Sequence, residues 1–394
     1  MRYVRVLDNI TKDITKDAPC DLGEGYESTF DLSVADAIVV RASDIHDLDF
    51  PDSLRVVARS GSGVNNIPCE ELAKRGVVVF NAPGANSNAV KELVLGMMLA
   101  NSRNTQAGMD WCREHAGDPN VVKDAEKAKK AFVGRELIGR KVGVVGLGNI
   151  GSKVASSLVE LGAKVFGYDP YLSVEHALKV STKVRMVSSL EDLFRESDYV
   201  TVHVPSKEDT IHMVNEEMLG KLNHGAMLLN YSRADIVDED AVAHALETGQ
   251  LSRFCTDFAT PKTLKMRNTL VTPHMGACTN EAERNCAHMA ITEMKEYLEL
   301  GIIHNLVNYP DCYLGPCHFD GRIACLHDNK PNMLSRITGI VGDANANIQR
   351  LANEQAGENA YTVMDYTGVI DNATREKLMA IDGMHRVRNL VGGR

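Results

Sequence analysis

The 394-residue chain has no C-x-x-C pair among its nine cysteines, no excess of positive charge, and no apolar run long enough to cross a bilayer. Each absence excludes something. Cys312 and Cys317 lie five positions apart, a spacing that suits no common zinc site, so no metal is expected. The thiols are expected to be reduced and mostly buried, as in a cytoplasmic protein. With 43 Lys and Arg against 53 Asp and Glu, the formal charge is −10. That balance argues against non-specific nucleic-acid binding, which needs a basic surface to release counterions. The apolar run "LVLGMMLA" at 93–100 is too short for a membrane span. The opening "MRYVRVLDNITKDITKD" lacks the apolar core of a secretory leader, and no segment is of low complexity. What is present is ordinary for a globular protein, 44% hydrophobic and 24% charged, and long enough for two or three domains.

Short β-type runs recur at 3–7, 37–41, 55–58 and 77–80, with helical patterns and Gly- or Pro-bearing turns between them. Strands that alternate with helices imply a parallel sheet covered on both faces. One long helix is expected from Ser87, its N-cap, to about Arg103. A polar, Lys-rich stretch at 118–131 precedes a stronger α/β rhythm. Its strands are expected at 141–145, 164–168, 199–204, 226–230, about 253–257 and 269–272, a doubly wound sheet of six strands. A helix over 281–301 returns the chain to its first domain. "NYPDCYLGPC" at 308–317 reads as a linker, and 321–394 has the order βαββαβ. The expected fold class is therefore α/β: two doubly wound parallel-sheet domains of Rossmann-like or flavodoxin-like type, with a small βαββαβ module behind them.

The segment "KVGVVGLGNIGSKVASSLVELGAKVFGYDP" places Gly146-x-Gly148-x-x-Gly151 between a strand and an amphipathic helix, then leads through a second strand to Asp169. That βαβ context is what a dinucleotide fingerprint requires. Gly146 makes the tight turn, Gly148 lets a pyrophosphate approach the backbone, and Gly151 lets helix pack on strand. The pyrophosphate sits at the helix N-terminus, where unpaired N–H groups favour negative charge. Asp169, placed to bond the ribose hydroxyls, repels a 2′-phosphate, so NAD is expected rather than NADP.

Two loops follow later strands of the same sheet. "MLLNYSRADIVDED" carries Arg233, and "TLVTPHMGACTNEAE" carries His274. An arginine holds a carboxylate through two parallel hydrogen bonds. A histidine titrates near neutral pH and passes a proton to or from an alcohol. Arginine, histidine and NAD together describe hydride transfer at a 2-hydroxy acid.

The segments "VVARSGSGVNNI", "FNAPGANSNAVKELVLG", "DYVTVHVPSKEDTIHMVNEE", "NYSRADIVDE" and "TPHMGACTNEAE", with the cofactor loop, resemble the D-2-hydroxyacid dehydrogenase family in register over roughly 37–310. Within it the likeness is to the members that oxidise 3-phosphoglycerate with NAD to 3-phosphohydroxypyruvate, the step that opens serine biosynthesis. The resemblance implies a discontinuous substrate-binding domain (1–100 and 281–307), an NAD-binding Rossmann domain (101–280), a linker (308–319) and a regulatory module (320–394). It gives Arg233 the substrate carboxylate and keto oxygen, and His274 the role of general acid–base. It places Asn149 and Ile150 at the pyrophosphate turn and Asp257 at the nicotinamide carboxamide, with Tyr231, Ser232, Gly276 and Ala277 also lining the cofactor. Arg59, Ser60 and Gly61 resemble the substrate loop of the first domain. Arg41 matches a second substrate-facing arginine, suited to a phosphate tail. Homodimers or homotetramers are implied, with no membrane and no nucleic-acid partner.

Three departures from the family stand out. The family usually orients the histidine with a glutamate in a D-V-F-x-x-E-P pattern. Here "TDFATPKTLKMRNTLVTPH" has no acid between Asp257 and His274, and Lys262 falls where that acid is expected. "RAD" replaces the usual Arg-Gly-Gly and puts Asp235 two residues from Arg233, either as a substitute acid or as a residue facing solvent. Lys91 stands where alanine is common. Beyond the linker, "RIACLHDNKPNMLSRITGIVGDANANIQRL" resembles an ACT domain. On such dehydrogenases this module binds serine as feedback inhibitor, and His327, Asn329 and Asn347 fall at the matching positions. Two other readings stay open: a dehydrogenase of an unphosphorylated 2-hydroxy acid, and an NAD-binding corepressor-like sensor without turnover.

Overall fold

The structure is a computed structural model that describes Met1–Asp8 and Leu22–Val391. Its contacts divide the chain into two compact units, Met1–Ala85 with Glu283–Arg394, and Asn86–Ala282. The helix Ser87–Ser102 belongs to the second unit, whereas the sequence puts a domain boundary near residue 100. The C-terminal module falls in the first unit.

The first unit opens with β1 (Arg2–Val6), β2 (Tyr26–Thr29), β3 (Ala37–Val40), β4 (Val56–Arg59) and β5 (Val78–Phe80). They form a parallel sheet in the order β2-β1-β3-β4-β5. β3 reads "AIVV" and is buried throughout, as a strand covered on both faces must be. β2, "YEST", is a polar edge strand that the sequence does not announce.

The second unit holds β6 (Lys141–Val145), β7 (Lys164–Tyr168), β8 (Arg185–Met186), β9 (Tyr199–Val202), β10 (Ala226–Asn230), β11 (Leu251–Thr256) and β12 (Thr269–Val271). The order is β12-β11-β10-β9-β6-β7-β8. The sheet thus has seven strands, not the expected six. The addition, β8, is two exposed residues long and too short to give a period. The strand order reverses between β6 and β9, the switch point beside which open α/β sheets bind ligands. One face packs Val142, Val144 and Leu147 against Val154 and Leu158 of the helix Gly151–Glu160 and against Val94 and Met98. The other packs Val145, Val200, Val202 and Leu228 against Leu193, Phe194 and Val242. The helix Ser87–Ser102 starts where expected, but its N-cap is Asn86, and Ser87 is buried.

The C-terminal part of the first unit is antiparallel. β13 (Gly321–Asp328), β14 (Asn347–Ala356), β15 (Asn359–Thr367) and β16 (Met384–Val391) pair in the order β14-β15-β13-β16. The helices Met333–Asp343 and Asn372–Met379 lie in sequence between β13 and β14 and between β15 and β16, which gives βαββαβ. Ile323, Cys325, Met364 and Tyr366 face these helices. Ala324, Leu326, Tyr361 and Val363 face the other way, into a core shared with Val39, Ala58, Phe80, Met294 and Tyr297. Arg322 and Asp365 are buried as an ion pair, Nε to Oδ1 2.6 Å, and Arg322 also donates to the carbonyls of Leu300 and Gly315 at 2.7 Å. A buried charge needs such complete pairing.

Candidate active site

The carboxyl ends of the parallel strands carry Asp169, Arg233, Asp257 and His274, whereas Lys91 lies on the helix Ser87–Ser102. After β6 the chain turns at Gly146, whose φ of +84° suits glycine, and an added Cβ there would lie 2.7 Å from the His203 carbonyl oxygen. A Cβ on Gly151 would lie 1.9 Å from the Gly146 carbonyl oxygen, whereas one on Gly148 would meet nothing within 4 Å. The turn is therefore closed by its first and third glycines and open at the second, which fits an approaching pyrophosphate. Asp169, just past β7, accepts from the Leu147 N–H at 2.8 Å and the Tyr171 N–H at 2.9 Å. One acceptor position on each oxygen is left for ribose hydroxyls. Asn149 Oδ1 lies 3.2 Å from His176 Nε2, and Ile150 precedes the first residue of the helix.

His203 is packed beneath this turn. Burial drives its pKa down to about 3, so it is a neutral ring, and its Nδ1 has no hydrogen-bond partner among the described residues. Lys153, on the helix that the turn opens, donates to Ser87 Oγ at 2.6 Å. Burial first, then the ammonium groups of Lys91 and Lys179, hold its pKa below the usual lysine range. Lys91 donates to Asn88 Oδ1 at 2.7 Å. Sequence reasoning gave no role to Lys153 or His203.

Arg233 follows β10. Asn230, buried at the strand end, donates from Nδ2 to the Arg233 carbonyl at 2.8 Å and accepts from the Ser232 N–H at 3.1 Å. Ser232 Oγ donates to the Val204 carbonyl, and Tyr231 is buried. The backbone of Arg233 is thus fixed from two sides. Among the described residues its half-buried guanidinium makes one bond, Nη1 to the Ser232 carbonyl at 2.7 Å, which leaves most of its donor fork for a ligand.

His274 follows β12, exposed and with φ of +53°. Its N–H donates to the Asp257 carbonyl at 2.8 Å, and its ring meets the Phe258 ring edge-on, centroids 5.3 Å apart. Asp257 is 2% exposed and accepts at Oδ1 from Thr272 Oγ1 (2.5 Å) and the Met275 N–H (2.9 Å), and at Oδ2 from the Gly276 N–H (2.7 Å). Ala277 follows directly. β12, β11 and β10 are neighbours, so His274, Asp257 and Arg233 follow the carboxyl ends of adjacent strands.

In the first unit, Val40 of β3 pairs with Arg59 of β4, so Arg41 and Arg59 stand at neighbouring strand ends. Asp8 accepts from the N–H groups of Arg41 (2.8 Å) and Ala42 (3.0 Å) and from Ser43 Oγ (2.5 Å). Partial burial opposes ionisation of Asp8, but those bonds hold its carboxyl below the usual range. Arg41 Nη2 pairs with Glu283 Oε1 at 2.7 Å, and Arg59 Nε donates to Asn66 Oδ1 at 3.1 Å. Ser60 is buried, and Gly61 leaves room for the Arg59 guanidinium, which an added Cβ would approach to 2.4 Å.

Known proteins bear on this geometry. Residues 95–276 match the D-isomer specific 2-hydroxyacid dehydrogenase, NAD binding domain. A D-3-phosphoglycerate dehydrogenase of Methanocaldococcus jannaschii is 34% identical over 288 residues, which are 70% of this chain and 52% of that protein. A hydroxypyruvate reductase of Thermotoga maritima is 32% identical over 285 residues, 68% of this chain and 85% of that protein. The chain belongs to the D-isomer specific 2-hydroxyacid dehydrogenase family. It spans about half the length of several curated relatives that it matches. The NAD⁺-bound 3-phosphoglycerate dehydrogenase of Entamoeba histolytica shares the fold, with a TM-score of 0.60 over 78% of this chain and 98% of that one at 24% identity.

NAD is thus the cofactor of this D-2-hydroxyacid dehydrogenase domain, and the open Gly148 cradle and Asp169 fit it. Of the departures from the family, Asp235 is exposed and accepts from Ser206 Oγ, and Lys262 pairs with Asp240. Among the described residues, no carboxylate bonds the His274 imidazole. In the C-terminal sheet His327 is buried, its Nδ1 donating to the Asp328 carbonyl at 2.7 Å and its Nε2 2.8 Å from Thr362 Oγ1. Asn329 donates to the Gly357 carbonyl at 3.1 Å. His327 pairs with Ala360 and Asn347 with Thr367 of the same strand, so these two are offset by roughly 23 Å along the strands at about 3.3 Å per residue, on opposite sides of β15. One chain does not bring the three residues together. Among the described residues no cluster of His, Cys, Asp and Glu could hold a metal, and no helix is long and apolar enough to cross a membrane.

Proposed function

We propose that this dehydrogenase interconverts D-3-phosphoglycerate and 3-phosphohydroxypyruvate with NAD, the first step of serine synthesis by the phosphorylated route. The observation that carries the reading is the placement of Arg233 and His274 after the carboxyl ends of β10 and β12, on the side of the sheet that also holds the Gly146–Gly151 turn after β6. Bound NAD accepts or returns the hydride at its nicotinamide ring. Arg233 holds the substrate carboxylate with its donor fork and polarises the oxygen on C2. His274 takes the hydroxyl proton as the C2 hydrogen leaves as hydride, and returns it in the reverse direction. Asp169 binds the ribose and disfavours a 2′-phosphate. Arg41, Arg59 and the loop of Ser60 and Gly61 supply the charge and N–H groups for the phosphate tail.

The C-terminal βαββαβ sheet fits an ACT-type module that binds L-serine. With His327 and Asn347 at opposite ends of one sheet, such a site needs two copies of the chain, in keeping with a homodimer or homotetramer. A second reading, an enzyme for unphosphorylated hydroxypyruvate, is favoured by the Glu283 carboxylate that already pairs with Arg41. The initial rate of NADH oxidation with 3-phosphohydroxypyruvate, set beside that with hydroxypyruvate, separates the two. Strong preference for the phosphorylated acid supports the first, and equal or reversed preference rejects it.

A further inference from the structure

A buried carboxylate is stable only when donors surround it. Asp257 collects its donors from a single short segment. Thr272 Oγ1, the Met275 N–H and the Gly276 N–H all bond its two oxygens, at 2.5, 2.9 and 2.7 Å. Its own carbonyl accepts from the His274 N–H at 2.8 Å. Four bonds from one residue therefore grip the chain before, at and after His274. They hold His274 in the left-handed backbone region, which costs a non-glycine residue roughly 1–2 kcal/mol and persists only where the surroundings enforce it. Gly276 is part of the device: a Cβ there would lie 3.1 Å from Asp257 Oδ2 and crowd the bond.

Among the described residues, the carboxylate that usually orients this histidine in the family has no replacement. Lys262 turns to Asp240, Asp235 to Ser206, and the imidazole touches the Phe258 ring. We propose that Asp257 is the positioning residue for His274: it fixes the imidazole through the backbone of 272–276, with the T-shaped contact to the Phe258 ring setting the ring, in place of a side-chain carboxylate bond. Three of the four acceptor positions on the Asp257 carboxylate are filled by this segment, so at most one is left for the cofactor. The inference rests on the reading of His274 as the proton carrier.

A double-mutant cycle tests it, with Asp257→Asn, His274→Ala and the pair. Asn keeps the shape but turns one acceptor into a donor facing an N–H or O–H group. Misplacing a reacting group by about an ångström costs on the order of a hundredfold, so Asp257→Asn alone is expected to lower kcat by about ten- to a hundredfold. Its NADH Kd should stay within about threefold of wild type, the size of effect left for at most one cofactor contact. In the His274→Ala background the same change is expected to lower kcat by less than about twofold, because a residue that acts only through His274 has nothing left to position. In the cofactor-free protein the Met275 and Gly276 amides should exchange with solvent about tenfold faster in Asp257→Asn. Additive losses in the cycle, or a fall in NADH affinity that matches the fall in kcat, would mean that Asp257 serves the cofactor directly and would overturn the proposal. If Asp257→Asn does not fold, Thr272→Val removes one of the four bonds. A kcat loss there that Thr272→Ser restores supports the proposal, and no loss overturns it. Wild-type protein that binds NADH and turns over no 2-keto acid defeats the dehydrogenase reading instead, and the amide exchange rates then still decide whether the clamp exists.

Discussion

Gly148 and Gly151 differ by three positions, and the structure gives their alanine variants opposite fates. At Gly151 the new methyl would lie 1.9 Å from the Gly146 carbonyl oxygen, itself pinned because the Gly146 N–H donates to Tyr168 at 2.8 Å. Helix and turn must separate by about 1 Å or more, a form of overpacking that costs about 1–3 kcal/mol. For a unit of this size that lowers the melting temperature by about 2–4 °C per kcal/mol, and it spoils the cofactor turn as well. At Gly148 the methyl meets nothing within 4 Å, so folding stability is expected to stay within about 0.5 kcal/mol of wild type. The methyl instead occupies the opening where the pyrophosphate meets the backbone. Losing one charge-assisted hydrogen bond there costs about 1.5–3 kcal/mol, or about ten- to a hundredfold in NADH Kd. Thermal unfolding with and without NADH, beside a fluorescence titration, reads both effects. At a concentration about 100 times its Kd, NADH stabilises the wild type by about 2.7 kcal/mol, and Gly148→Ala should lose about half of that gain or more while keeping its unliganded melting temperature. Wild-type NADH affinity in Gly148→Ala, or an unaltered melting temperature in Gly151→Ala, would refute the reasoning.

Three other outcomes are expected. His274→Gln should lower kcat about a hundredfold or more while NADH affinity stays within about threefold, as steady-state rates and a titration will show. Arg41→Ala should raise KM for 3-phosphohydroxypyruvate at least about tenfold with little effect on hydroxypyruvate, whereas Glu283→Gln, which removes the carboxylate 2.7 Å from Arg41, should lower the former several-fold. Asp365→Asn leaves the buried Arg322 short of its anion and should cost about 3–5 kcal/mol in urea unfolding. Burial works against ionisation of Asp365, but its bonds from Arg322 and Arg350 win and hold its pKa below the usual 3.8, so its stabilisation is complete above that value and is lost as pH falls below it. Asp365→Asn should therefore flatten the acid limb of a stability–pH curve.

The parallel sheets were legible because buried strands such as "AIVV" and "KVGVV" announce themselves as apolar runs between helical patterns. β2 and β8 were not, since a polar edge strand and a two-residue strand have no period to detect. The glycine turn, Arg233 and His274 were readable as residue types placed just after strands. Their supports were not. Asp8 and Asp257 each end up gathering N–H groups from the loop of a neighbouring strand, and Asp169 does the same for the cofactor turn. Which loop lies beside a strand end is decided by strand order, and a carboxylate's local sequence carries no trace of it. The Arg41–Glu283 pair joins residues 242 positions apart, and the Lys153–Ser87 bond likewise needs two helices in contact. Ser87 looked like an N-cap because serine often is one. Burial of its side chain against Lys153 gave the capping position to Asn86.

The most direct test of the account follows the hydrogen itself. Enzyme, 3-phosphohydroxypyruvate and NADH deuterated at nicotinamide C4 are incubated together, and the product is examined by NMR. The account predicts 3-phosphoglycerate carrying deuterium at C2, formed by the wild type and about a hundredfold more slowly by His274→Gln. Bound NADH that is never consumed, or product without deuterium at C2, would contradict it.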